Sequence, residues 1–242
     1  MRNLVGKNSA WTFAAVSLTL VAIKLLFQFY PGDYPIRSQA QAFGWPLVVA
    51  IIVIGFLGLL ADHAARLPEP FADRVRDRQG LRLSIFTGAL YGLVTIALYI
   101  WHPVGNPLSS AGWVHVLLPW SIPFYTFGAI FLEYLLRLGA LCILFWLLHV
   151  VIFRRRLRRT IFWLLAAVVA LYEIWPYLVP EFHAGRWESI AFSALEPLYL
   201  SNVFEAWLLY RFGWFMPIVF RLAFYLVWHI LFGGLAGPFF GH

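Results

Sequence analysis

Residues 128–145 read GAIFLEYLLRLGALCILF and are apolar apart from Glu133 and Arg137. A run of this kind belongs to a helix crossing a membrane, where hydrocarbon gives a charged group no partner. An ionisable side chain there costs several kcal/mol unless protein or a wet cavity surrounds it. The four-residue spacing puts both side chains on one helix face, where they can pair directly. Taken alone, the two charges read first as an internal ion pair that orders a bundle.

Working outward, the whole chain fits that setting. It is 62% hydrophobic and 12% charged, with a mean hydropathy of +0.78. So few charges cannot cover the surface of a soluble domain, so the sequence predicts an all-α, polytopic membrane helical bundle. Several of the twelve tryptophans, Trp11, Trp45, Trp101 and Trp113 among them, fall near span ends as interfacial anchors do. The opening MRNLVGKNSA leads into a full-length apolar run with no small-residue cleavage site after it, so the first span is expected to be retained. Cys142 is the one cysteine and can form no disulfide within the chain.

The net charge of +7 does not point to nucleic acid, because the basic residues are distributed by topology. They cluster at Arg2 and Lys7, at Arg66, Arg74, Arg76, Arg78 and Arg82, in RRRLRR from Arg154 to Arg159, and at Arg211. These clusters follow alternate apolar spans, and the intervening loops carry only Arg37 and Arg186. That is the positive-inside pattern, which predicts a cytoplasmic N-terminus in a bacterial-type inner membrane. A polybasic loop can also touch anionic headgroups. The expected partners are the lipid bilayer and other membrane proteins, with no nucleic acid.

Candidate spans run about 11–30, 45–61, 84–101, 121–153, 160–179, 190–210 and 214–235, about seven in all. The chain reads as a single integral membrane domain over 1–242. Between the second and third spans, residues 62–83 form the longest polar segment. Its alternating charges predict a short helix lying at the surface. Pro119 and Pro123 are expected to break or kink the long stretch 113–153.

A second polar set lies near the C-terminus. In FRLAFYLVWHILFGG, Arg221, Tyr225 and His229 follow at four-residue intervals and form a stripe that points into the bundle. Glu173 in LYEIWPYL, and Asn202 and Glu205 in LSNVFEAWLL, add polar groups on two further helices. Together these can build an internal core of two or three carboxylates, two arginines and one histidine. Among the histidines, His149 lies near a helix end, where a snorkelling or dipole role is the default. His102, His115 and His183 lie near the opposite interface, His242 is terminal, and His229 alone is deep. No second and third ligand at matching depth accompanies it, so neither a metal nor any other cofactor is expected.

These residues resemble the CPBP intramembrane proteases, the CAAX prenyl protease and bacteriocin-processing family. FLEYLLR is similar to that family's first motif, EExxxR. LLAAVVALYEIWP falls where the family has FxxxH, and NVFEAWLLYRFGWFMPIVFRLAFYLVWHILFG has the cadence of its last conserved region. The resemblance implies a CPBP-like core over about 121–235, with extra N-terminal helices over about 11–101. In the family, the first glutamate and the later histidines activate a water that attacks a peptide bond, a carboxylate acting as base. Carried over by position, the first glutamate is Leu132, the second Glu133 and the arginine Arg137. The second-motif histidine falls on Trp175, the third-motif histidine on Arg221, and its Asn/Asp partner on Tyr225. Only the trailing histidine, His229, is kept. A literal FxxxH at Phe145–His149 lies 16 residues beyond Glu133 on the same helix, roughly 24 Å away and too far to share a water.

The resemblance therefore implies a pseudoprotease with a CPBP-like scaffold, acting as scaffold, chaperone or accessory subunit, in which Arg221 can pair with Glu133. The alternative is a divergent endopeptidase with Glu133 and His229 as its catalytic pair; Arg137, Arg221, Tyr225 and Glu173 are expected to form a structural polar core. A lower alternative is a subunit binding pigment, haem or lipid, suggested by membrane histidines and an aromatic content of 19%. The chain is short for a transporter and has no evident inverted repeat.

Overall fold

The computed structural model describes residues 5–29, 44–101, 116, 118–185, 187 and 198–236, and all its regular elements are helices. In chain order they are α1 (Lys7–Phe29), α2 (Trp45–Ala64) and α3 (Arg74–Trp101). Then come α4 (Ser121–Ile152), α5 (Arg158–His183), α6 (Leu200–Phe212) and α7, which runs Phe215–Tyr225 and continues as Leu226–Ala236. All but α6 contain a segment long and apolar enough to cross a membrane, six in total. The expected span 190–210 is met by α6, whose 13 residues cover only about 20 Å. Residues 188–197 lie outside the described residues, as do His102, Trp113, His115 and His242.

Local chemistry sets several boundaries. Asp73 starts α3 by accepting from the backbone N–H groups of Val75 and Arg76 at 3.0 and 3.1 Å, while the Asp73 N–H donates to Asp77 at 3.0 Å. The expected separate surface helix in 62–83 is therefore absent. Residues from Arg74 onward are the first turns of α3 itself, continuous with the span. The other half of that segment folds back on the N-terminus, where Glu69 accepts from the N–H groups of Asn8 and Ser9 in the first turn of α1. Pro119 precedes α4, and Pro123 sits in its first turn, where a missing N–H deprives the helix of nothing. From Ser121 to Ile152 the helix is continuous, with wider π-type turns over Glu133–Cys142 and again over Trp146–Ile152. Gly213, at φ +100°, makes the reversal between α6 and α7.

Close packing around α4 and α7 forms the core. α2 lies on α4, with Gly58 against the backbone of Leu138, so a methyl group there would overlap the Leu138 carbonyl. α3 lies on α7 in the same way through Gly88, which faces the Phe220 carbonyl, with buried Ser84 and Thr95 on that face of the helix. Small residues let helix backbones approach closely where lipid supplies no hydrophobic drive. α1 joins through Phe13, which stacks on Tyr134 at 5.0 Å, and Ser17, whose hydroxyl meets the Tyr134 hydroxyl at 3.2 Å. Trp214, 1% exposed, closes the same aromatic group against Phe13.

Gly58→Ala is expected to cost about 1–3 kcal/mol through overpacking, read as a lower midpoint of thermal unfolding in detergent. Gly128→Ala, with nothing within 4 Å of the new methyl, is expected to leave that midpoint unchanged or raise it. Equal midpoints for the two variants would contradict the α2–α4 contact.

Candidate functional site

Four helices each bring polar groups to one point. Glu133 and Arg137 come from α4, Glu173 from α5, Asn202 and Glu205 from α6, and Arg221 from α7. Exposure is 1% for Glu133 and Arg137, 2% for Glu205 and 6% for Arg221, so solvent does little to screen these charges. Burial in apolar surroundings is tolerable only where every charge has an opposite partner and its hydrogen bonds.

The two guanidinium forks supply that. Arg221 donates through Nε to Glu133 Oε1 at 2.6 Å and through Nη1 to Glu173 Oε1 at 2.8 Å. Its Nη2 donates to Glu205 Oε2 at 2.6 Å and to Asn202 Oδ1 at 3.0 Å. Arg137 mirrors it. Nη1 reaches Glu173 Oε2 at 3.2 Å, while Nη2 reaches Asn202 Oδ1 at 2.6 Å and also Glu205 Oε2. Glu173 thus gives one oxygen to each arginine, and Glu205 and Asn202 each share a single oxygen between both. The planar five-donor geometry of arginine makes such sharing possible, and a lysine at either position would lose it.

The i, i+4 pair that drew attention in the sequence is the weakest contact of the set. Arg137 Nε stands 3.8 Å from Glu133 Oε2, and neither atom makes a hydrogen bond. Glu133 is held chiefly by Arg221, as the sequence allowed, and Arg137 chiefly by α5 and α6. Three carboxylates face two guanidiniums, so the group carries one excess negative charge when all are ionised.

A cavity of about 280 Å³ lies beside this group. Glu173, Asn202, Glu205, Arg221, Tyr225 and His229 contribute its polar wall, and Leu132, Ile174, Phe224 and Trp228 are among its apolar lining. His229 stacks on Tyr125 at 4.1 Å between ring centroids and meets Tyr225 edge-on at 4.9 Å. Glu133 is not among the residues lining the cavity. Arg221, Tyr225 and His229 share one wall, as their spacing predicts.

Other candidates separate from the group. Trp175, aligned with a motif histidine, is 57% exposed on the outer face of α5. His149 is buried and stacks on Phe145, with Nδ1 3.1 Å from the Arg156 carbonyl. It ties the end of α4 to the basic loop rather than snorkelling to the surface. Asp62 and Cys142 form a separate buried contact at 3.9 Å between α2 and α4, which nothing in their spacing announces. Among the described residues, no three His, Cys, Asp or Glu side chains are arranged to hold a metal ion. No family model, curated protein or solved structure matches the chain.

Charge counting orders the variants. Arg221→Met leaves three buried carboxylates with one guanidinium and is expected to cost about 3–5 kcal/mol. Glu205→Gln removes the excess charge and keeps an amide oxygen for both arginines, so it is expected to be neutral or stabilising. Thermal unfolding in one detergent checks both, and a Glu205→Gln loss as large as that of Arg221→Met would contradict the charge count.

Proposed function

We propose that the chain is a CPBP-like pseudoprotease, a multipass membrane protein that acts as a scaffold, chaperone or accessory subunit for other membrane proteins. The observation that carries this reading is Arg221. It stands where the resemblance places a histidine, and it ties up Glu133, Glu173 and Glu205 together. Arginine has donors only and keeps its proton, so it cannot take a proton from water as imidazole can. The Glu133 oxygen engaged at 2.6 Å by that arginine is occupied by a donor and buried, rather than open to a water. In this reading the polar core has exchanged hydrolysis for holding four helices together. The polybasic segments favour an orientation with the N-terminus in the cytoplasm of a bacterial-type inner membrane.

A divergent endopeptidase using Glu133 and His229 is the second reading. The observation in its favour is the cavity, which puts His229 on one wall with Glu173 and Glu205. Its cost is that Glu133, the carboxylate named for the base, does not line that space.

Purified protein in proteoliposomes, offered prenylated or leader-bearing membrane substrates, is expected to release no product above an empty-liposome control. Cleavage that is abolished by Glu133→Gln, in protein that still folds, would overturn the proposal in favour of the second reading.

A further inference from the structure

One face of α3 changes character along its length. Arg74, Arg78 and Arg82 follow at four-residue intervals and are exposed, and the same side continues as exposed Ile85, Phe86 and Leu93. Gly80, two positions from both Arg78 and Arg82, packs against Phe212. Two residues turn a helix by roughly 200°, so these arginines point away from the bundle. The two acids beside them in sequence are engaged elsewhere: Asp73 Oδ1 accepts from the Val75 and Arg76 N–H groups, and Asp77 is buried and turned to Arg76 at 3.2 Å. Among the described residues, no carboxylate pairs with Arg74, Arg78 or Arg82. The three line a recess of about 430 Å³ with Val75 and Gln79.

Height along the helix identifies what meets this face. From Arg82 to Trp101 is 19 residues, roughly 28 Å, against a hydrocarbon core of about 30 Å. Trp101, 77% exposed, ends the helix as an interfacial anchor would. Arg82 therefore lies at the headgroup level of the other boundary and Arg78 one turn beyond it, with the apolar ladder facing acyl chains.

We propose that this face is a binding site for an anionic phospholipid, with its phosphate between Arg78 and Arg82 and its chains along Ile85, Phe86 and Leu93. Arginine matches phosphate geometrically through paired N–H donors. A diffuse positive-inside charge attracts anionic lipid anywhere along the basic surface. A cationic recess continuous with an exposed apolar ladder holds one lipid in one place. The proposal is independent of whether the chain cleaves peptides.

The test is retention of phosphatidylglycerol through detergent purification, measured by native mass spectrometry against phosphatidylcholine. Wild-type protein is expected to keep phosphatidylglycerol preferentially. Arg78→Gln/Arg82→Gln is expected to lose it by roughly tenfold or more, while Arg155→Gln/Arg156→Gln in the other basic cluster keeps it. Equal retention in the first variant, or equal loss in both, would overturn the site. Should the first variant fold poorly, phosphatidylglycerol with a photoactivatable acyl chain is applied to wild-type protein. Cross-links are expected within residues 85–94, displaced by unlabelled phosphatidylglycerol and not by phosphatidylcholine. Cross-links elsewhere, or equal displacement by both lipids, would overturn it.

Discussion

Two arginines sharing three glutamates and one asparagine are the constraint on which the rest of this bundle depends. Arg137 and Arg221 come from different helices, yet their forks meet the same oxygens of Asn202 and Glu205 and opposite oxygens of Glu173. None of these groups finds a partner in lipid, so sliding α4, α5, α6 or α7 by one turn would strand a buried charge. Dispersion and small-residue packing bring helices together in many registers. The polar group selects one of them. Such clusters are weak evidence of net stability, since well-packed apolar side chains of similar volume often do as well. Their contribution here is to specify which helices meet and at what height.

The same arrangement limits chemistry. A hydrolytic centre needs a group that accepts a proton and a water with room to attack. Arg221 accepts none, and Glu133 lies off the wall of the neighbouring cavity. Glu173 and Glu205 do reach that wall, but each is bonded to both arginines. When all three carboxylates are ionised one is in excess, and Glu173 and Glu205 present theirs to the cavity that His229, stacked on Tyr125, also lines.

Much of this was legible in the sequence, and its limits have physical causes. Hydropathy identified the helices because lipid demands long apolar runs, and six of the expected spans appear. Four-residue spacing put Arg221, Tyr225 and His229 on one wall, and charge balance suggested the Arg221–Glu133 pair found at 2.6 Å. Spacing within one helix misled for Glu133 and Arg137, which sit close but bond chiefly to other helices. Asn202 and Glu205 stood out as polar residues on a further helix. That both arginines converge on them depends on interhelical geometry that no local pattern encodes. The segment 62–83 misread because sign-alternating charge is blind to the Asp73 cap, which starts α3 early. The Asp62–Cys142 contact joins residues 80 apart, with no local signal in either.

The most direct test of the central cluster is a double-mutant cycle on Arg221→Met and Glu133→Gln, measured as unfolding free energy in one detergent. Arg221→Met alone leaves three carboxylates against one guanidinium, whereas the double variant leaves two against one, the same single excess charge as the unaltered group. The cluster predicts that the double variant is more stable than the sum of the two single effects implies by at least roughly 1 kcal/mol, because Glu133 loses its main partner once Arg221 is gone. Effects that simply add would show that Arg221 and Glu133 do not hold each other, and the account of a closed ion-pair core would fail.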